Sequence, residues 1–292
     1  MREFLDYLKT NKHKAENTVI AYQRDIKAFE NYLAESRSKG LDECSESDAI
    51  AYVMSLGEAK KSRATINRKT SSLRSFYEFK VNKGLRSDNP FDKIKTSYKD
   101  QRTVDYLTLE EIEKLIAATD DSFKGLRDKA LMEFMYGTGA RVTEVVRLQF
   151  QDINFAMGFV NLKDADDASR IVPFGEYAKE AVMEYVNKSF REYKKREPEA
   201  EDYVFVNFRG EGLTRQGIWK ILKDYGEVTG LSDRMSPQIF RDSFAVHILQ
   251  RGGDLKTLQE LMGFDDMSVG IAYLAVTDIH VRDVYKRCHP RA

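Results

Sequence analysis

Residues 86–103, RSDNPFDKIKTSYKDQRT, limit the possible folds more than any other segment of the chain. This segment contains a proline, few apolar residues and many charges, so it favours a linker over an element of a continuous core. A chain of 292 residues is long enough for two domains. The sequence therefore predicts a helical domain at residues 1–87, a linker at residues 88–104 and a second domain at residues 105–292.

Apolar residues on both sides of this linker recur mainly with helical spacing. Tyr22, Ile26, Phe29 and Leu33 would line one face of a helix. VNLKDADDASRIVPF, however, predicts a β-hairpin, because two short β-prone runs enclose a polar tip, and DYVFVNF predicts a further strand. The expected fold class is mostly α with a small β-sheet, in two domains.

Composition excludes several kinds of protein. Cys44 and Cys288 are too few for a disulfide framework, and four scattered histidines offer no metal-ligand spacing. No apolar run approaches the roughly 18–20 residues of a membrane span, and the charged start predicts no signal peptide. We expect a cytoplasmic protein without a membrane anchor, metal or cofactor.

A basic segment points to nucleic acid. The first 100 residues carry an excess of five positive charges, and residues 60–86 hold nine Lys or Arg and one acid. A solvated helix face is the ordinary explanation of a charge run, but such faces usually mix both signs. Single-sign charge with short polar side chains suits phosphates and base edges. The candidate DNA contacts are Lys60, Lys61, Arg63, Thr65, Asn67, Arg68, Lys69, Ser71 and Arg74.

Three residues of the second domain could form a phosphate-directed site. Arg141 follows two glycines in YGTGARVTEVVRL, where it could pair with Glu144 or fork onto phosphate oxygens. Arg241 has mostly apolar neighbours, which predicts burial and the need for an anionic partner, either Asp242 or a substrate phosphate. Tyr273 is either a packed core residue or a nucleophile. Together they suit phosphoryl transfer through a phosphotyrosine.

The combined motifs resemble those of the tyrosine recombinases, and most closely the Xer type. They are GTGARVTEVVRL, SRIVPF, SPQIFRDSFAVHILQRGGDLKTLQELMGF, IAYLAV and the closing HPRA. The resemblance implies a helical DNA-binding domain and a catalytic domain that clamp duplex DNA. It also implies two arginines on the scissile phosphate and a tyrosine that attacks it, leaving a 3′-phosphotyrosine and a free 5′-hydroxyl, without a metal. These roles carry over to Arg141, Arg241 and Tyr273.

Other family positions hold different residues here. Ala165 stands where the resemblance implies a hairpin lysine that protonates the leaving oxygen. Gln238 replaces a histidine that handles the tyrosine proton, and Phe264 replaces a histidine or tryptophan that supports the phosphate. Lys163 lies two residues from Ala165, on the same face of a strand and about 6–7 Å away, so its stem could span the gap.

These replacements leave two hypotheses. In the first, the protein binds specific duplex DNA but recombines poorly, and it serves as a repressor or architectural factor in a phage or mobile-element setting. In the alternative, it is an active recombinase that cleaves through Tyr273. The sequence favours the first. The tail, residues 277–292, has an amphipathic stripe that either packs on its own domain or, as the resemblance implies, docks on a neighbouring protomer.

Overall fold

The structure, a computed structural model, describes residues 1–12, 14, 16–95, 104–164, 168–190 and 202–277. The chain divides into two compact units, Met1–Asp100 and Gln101–Ala292. The described residues are mostly helical with one three-stranded sheet, so the predicted fold class is confirmed. Within these ranges no helix combines the length and the apolar character that a bilayer crossing requires.

The first unit is a helical domain around one aromatic-rich core. Ser45 and Ser62 cap the third and fourth helices by accepting backbone N–H groups of the first turn. Phe29, Phe76 and Tyr77 are fully buried between the helices. The helices are α1 (Arg2–Thr10), α2 (Glu16–Arg37), α3 (Glu46–Glu58) and α4 (Arg63–Asn82).

Part of the predicted linker belongs to this core. Phe91 is fully buried, and its ring packs against those of Phe29 and Tyr77. The Arg74 guanidinium donates to the carbonyls of Phe91 and Ile94, which ties this segment to α4. One aromatic ring and two backbone acceptors thus attach residues 91–94 to the core of the first unit, despite the polar composition around them. The boundaries of the two domains stay a prediction.

The second unit contains most of the remaining helices. Thr108 and Glu111 form a reciprocal capping box at the start of the first of them, as their three-residue spacing favours. The helices are α5 (Leu109–Ala117), α6 (Phe123–Thr138), α7 (Val142–Val145), α8 (Glu176–Tyr185), α9 (Arg215–Thr229), α10 (Pro237–Gln250), α11 (Leu255–Met262) and α12 (Ser268–Leu274).

The sheet of this unit is antiparallel, with the order β1-β2-β3. The predicted hairpin is confirmed: β2 (Phe159–Lys163) pairs with β3 (Ser169–Pro173), and β1 (Ile153–Asn154) completes the sheet. The prediction of a strand from DYVFVNF is wrong. Val204, Phe205 and Val206 are buried, but their backbone makes only isolated bridges and single loop bonds. Apolar runs of this length indicate burial more reliably than strand pairing.

A second, smaller apolar cluster lies among α10, α11 and α12. It contains Phe244, Leu249, Leu258, Met262 and Tyr273. The cluster fixes the end of α11 against α10 and carries the candidate nucleophile on α12. It therefore positions the residues described next.

Candidate active site

Three arginines meet at the carboxyl end of α11. Arg170 Nε donates to the carbonyl of Leu261 at 2.8 Å, Arg241 donates to that of Met262, and Arg141 Nη2 donates to that of Gly263 at 2.7 Å. The last carbonyls of a helix have no partner within it and carry its negative dipole end. Consecutive helix-terminal acceptors thus hold guanidinium groups from β3, α10 and the start of α7 side by side.

Arg141 is placed by a left-handed turn. α6 ends at Gly139, whose φ of +60° is the conformation that glycine adopts without steric cost. Arg141 then precedes α7, and its backbone N–H and its guanidinium both donate to Glu144. The ion pair considered from the sequence therefore exists, but the Arg141 side chain is still 38% exposed. The side chain is thus accessible enough to meet a phosphate while Glu144 keeps it in place.

Arg241 is buried, as predicted from its apolar neighbours, with 3% of its surface exposed. Its guanidinium donates to the carbonyls of Gly139 and Met262. Burial lowers the pKa of Arg241 to about 10, and the nearby positive charges of Arg141 and Arg170 add to this shift. The group stays cationic at neutral pH, and an incoming phosphate would relieve the repulsion among these cations.

Glu144 is the carboxylate that balances the arginines. It is 1% exposed and accepts hydrogen bonds from Arg141 and from both terminal nitrogens of Arg170. Burial acts to raise the pKa of Glu144, but Arg170 and Arg141 outweigh it and hold the pKa below its usual range. Sequence reasoning assigned no role to Arg170. Its only signal was its place in SRIVPF, before a buried valine of the hairpin.

Tyr273 lies in α12 with 2% of its surface exposed. Its hydroxyl donates to Asp242 Oδ1 at 2.8 Å, so Asp242 partners the tyrosine. The Phe264 ring stacks on the Tyr273 ring with centroids 6.0 Å apart, and the Arg241 guanidinium lies 5.6 Å from the Phe264 centroid. The structure therefore brings Arg141, Arg241 and Tyr273 into one cluster.

Gln238 and Phe264 take different parts in this cluster. Gln238 Nε2 donates to Asp242 Oδ1 at 2.9 Å, so the amide is aimed at the tyrosine's partner. Phe264 supplies only ring contacts between Arg241 and Tyr273, as a packed tryptophan would. Neither side chain exchanges a proton near neutral pH. Both side chains therefore contribute contacts to this cluster but no group that titrates near neutral pH.

Lys163 lies at the end of β2, opposite Ser169. Its amine pairs with Asp152 at 2.5 Å, and its side chain is 41% exposed. Ala165 and the hairpin tip at residues 165–167 lie outside the described residues. A catalytic role for Lys163 stays a prediction. Among the residues that the structure describes, no group of three His, Cys, Asp or Glu side chains comes together as a metal site.

The basic segment forms the turn before α4 and the first turns of that helix. Lys60 and Lys61 are exposed in the turn, and Arg63 and Ser71 are exposed on α4. The hydroxyl of Thr65 bonds to that of Ser62, at the helix cap. The exposed end of this segment is the part that could reach a phosphate backbone.

Other candidate DNA contacts have structural partners within the first unit. Arg68 pairs with the buried carboxylate of Asp25, and Lys69 Nζ lies 3.2 Å from the same carboxylate. Arg74 is bonded to two carbonyls, as described above. Asn67 is half-buried. The roles of these residues in DNA binding remain predictions. A side chain of this group that contacted DNA would also be packed or bonded within the first unit.

Comparison with known proteins shows which family the chain belongs to. Residues 105–280 match the phage integrase family, and residues 1–84 match the N-terminal SAM-like domain of phage integrases. The chain belongs to the tyrosine recombinase, or phage integrase, family. It is 37% identical to tyrosine recombinase XerD of Listeria innocua over 99% of this chain and 98% of that protein. It is 36% identical to tyrosine recombinase XerC of Anoxybacillus flavithermus over 99% and 97%, so its relatives include Xer proteins.

Solved structures of the family share the fold. The XerH recombinase bound to a palindromic difH substrate has a TM-score of 0.77 at 18% identity, and 98% of this chain and 83% of that chain are covered. The Tn1549 transposon integrase in complex with circular intermediate DNA has a TM-score of 0.76 at 18% identity, with 97% and 98% covered. The first hypothesis drawn from the sequence, a poorly recombining regulator in a phage setting, finds no support in these comparisons.

Proposed function

We propose that this protein is an active site-specific recombinase that cleaves and rejoins duplex DNA through a 3′-phosphotyrosine at Tyr273. The observation that carries the proposal is the convergence of Arg141, Arg241 and Tyr273 at the carboxyl end of α11. The relatives at 36–37% identity over the whole chain are named tyrosine recombinases, which favours the same activity here. We place the activity in the cytoplasm.

The roles follow from the chemistry of the three side chains. Arg141 and Arg241 would neutralise the scissile phosphate and the charge that develops on it in the transition state. The Tyr273 oxygen would attack phosphorus and expel the 5′-oxygen. Lys163 is the candidate acid for that oxygen, on condition that its amine leaves Asp152 when DNA binds. No metal or cofactor is needed for these steps.

The replacements at Gln238 and Phe264 bear on the rate. General acid–base help contributes roughly 10²–10⁴-fold, so a site without the family's histidine needs another proton acceptor. Binding alone, as a repressor or architectural factor, is the outcome that a failed cleavage test would favour.

Association of protomers through the tail, which lies outside the described residues, also belongs to the proposal.

The decisive test is covalent capture. The protein's own binding site is first selected from genomic fragments and then built as a nicked suicide duplex, from which the cleaved strand diffuses away. We expect a denaturant-resistant protein–DNA adduct that Tyr273→Phe abolishes without loss of affinity. Tyr177→Phe, at a tyrosine that is 79% exposed on α8, is the matched control and should form the adduct normally. Tight binding without any adduct would contradict the proposed cleavage.

A second test addresses the DNA-binding surface of the first unit. Lys60→Gln with Lys61→Gln should weaken binding and flatten its salt dependence, because each lost phosphate contact lowers the log–log slope by about 0.9. Lys9→Gln with Lys27→Gln removes the same charge from exposed positions on α1 and α2 and should change the slope less. Equal slopes for the two double variants would assign the DNA contacts elsewhere.

A further inference from the structure

Asp242 occupies an unusual position beside the candidate nucleophile. It follows Arg241 in α10, is 5% exposed, and accepts the Tyr273 hydroxyl on Oδ1 at 2.8 Å. Gln238, one turn earlier in the same helix, donates to the same oxygen at 2.9 Å. A carboxylate is therefore held in hydrogen-bond contact with the atom that would attack phosphorus, and a neutral amide orients it.

The side chains around Tyr273 make the Asp242 carboxylate a candidate base. Gln238 presents its N–H group to Asp242, so it acts as a donor and cannot take up the tyrosine proton. Phe264 contributes a hydrocarbon ring. Asp242 is a proton acceptor in place, at the distance at which general bases work. On the basis of the proposed function, we propose that Asp242 is the general base that accepts the proton of the Tyr273 hydroxyl during strand cleavage.

The Tyr273 oxygen forms a bond to phosphorus while its O–H bond breaks, and the proton moves to Asp242 Oδ1. The bond between phosphorus and the 5′-oxygen breaks, and that oxygen leaves with its electron pair and takes a proton from the Lys163 ammonium or from solvent water. In the joining step the 5′-hydroxyl attacks phosphorus and gives its proton to the neutral Lys163 amine or to solvent water. The bond to tyrosine breaks, and protonated Asp242 returns its proton to the departing tyrosine oxygen.

The timing of the transfer follows from ordinary acidities. A free phenol holds its proton far more tightly than a carboxylate does, so the hydroxyl stays protonated at rest. As the bond to phosphorus forms, electron density leaves the tyrosine oxygen and its proton becomes acidic. A base that is already in contact then needs no reorganisation to receive it. Gln238 acts as a positioning residue, because its N–H group directs Oδ1 toward the hydroxyl.

The test is Asp242→Asn in the full chain, with the selected site as a nicked suicide duplex. Asparagine keeps an oxygen that can accept the hydroxyl but cannot hold the proton. We expect adduct formation to slow by roughly 10²–10⁴-fold while DNA affinity is retained. Asp224→Asn, at an exposed position of α9, is the matched control and should react at the wild-type rate. Asp242→Ser, which also accepts a hydrogen bond, takes its place if the Asn variant does not fold.

A second substrate separates the two proton transfers. A 5′-bridging phosphorothiolate has a thiolate leaving group, which departs without protonation because a thiol is far more acidic than an alcohol. The Asp242→Asn defect should persist on this substrate, because the tyrosine proton must still be removed. Restoration of the rate would assign Asp242 to the leaving side and overturn the inference, as would a wild-type rate on the ordinary duplex. Absence of any adduct with the wild-type protein would overturn the proposed function itself.

Discussion

Replacing Arg170 by methionine should destabilise the second unit strongly. The side chains have similar length, but the substitution removes a charge that is bonded to the fully buried Glu144 carboxylate. It also leaves the Leu261 carbonyl without its donor. Breaking a buried ion pair costs about 3–5 kcal/mol. Because Arg141 still donates to Glu144 at 3.0 Å, we expect the lower end, about 3 kcal/mol. For a unit of this size that is a fall in Tm of roughly 6–12 °C.

The measurement can be confined to the second unit. Trp219, in α9, is the single tryptophan of the chain, so its fluorescence during urea or thermal unfolding reports that unit alone. Arg215→Met, at an exposed arginine of the same helix, is the matched control and should change the free energy of unfolding by less than about 0.5 kcal/mol. Adding Glu144→Gln to Arg170→Met should recover part of the stability, because the unpaired carboxylate is then gone.

The effect should depend on pH in a defined direction. The pKa of Glu144 is lowered in the folded state from an ordinary value of 4.5. Its contribution is therefore complete above about pH 4.5 and is lost as the pH falls toward the folded-state pKa. The difference in the free energy of unfolding between wild type and Arg170→Met should become smaller in that pH range. A loss below about 1 kcal/mol at pH 7 would refute the view that Arg170 holds the buried charge.

Three further outcomes are expected. Gly139→Ala should destabilise the second unit by more than about 2 kcal/mol in urea unfolding, because its φ is +60° and a Cβ would lie 2.5 Å from the Phe244 ring; an unchanged midpoint would contradict this. Burial lowers the pKa of His247, so the imidazole takes up a proton at a higher pH in the unfolded chain than in the folded one. The free energy of unfolding should therefore fall as the pH drops below about 6.5. His247→Gln should flatten that part of the stability–pH curve, and a curve of unchanged slope would exclude the histidine. Deleting residues 279–292 should remove cooperative binding to paired sites in gel-shift titrations while single-site affinity persists; retained cooperativity would place the contact elsewhere.

The family, the fold class and the three residues proposed to act on phosphate could be predicted from patterns along the chain. Arg141, Arg241 and Tyr273 could be identified because each lies in a short motif whose meaning depends on neighbouring residues along the chain. The capping box at Thr108 and the hairpin were predictable for the same reason, since local hydrogen bonds and side-chain alternation set them.

The partners of these residues, by contrast, are set by how the chain packs. Tyr273 meets Asp242 across 31 residues, Arg170 meets Glu144 across 26, and Arg68 meets Asp25 across 43. The choice among several acidic residues for each of these donors depends on how the helices pack, and no local pattern encodes it. The DYVFVNF segment, predicted as a strand, is instead buried between two loops: Val204 donates to the Leu148 carbonyl, and Leu213 donates to the Phe205 carbonyl. Which of these backbones it would meet depends on the packing of the unit, and the apolar run does not encode it.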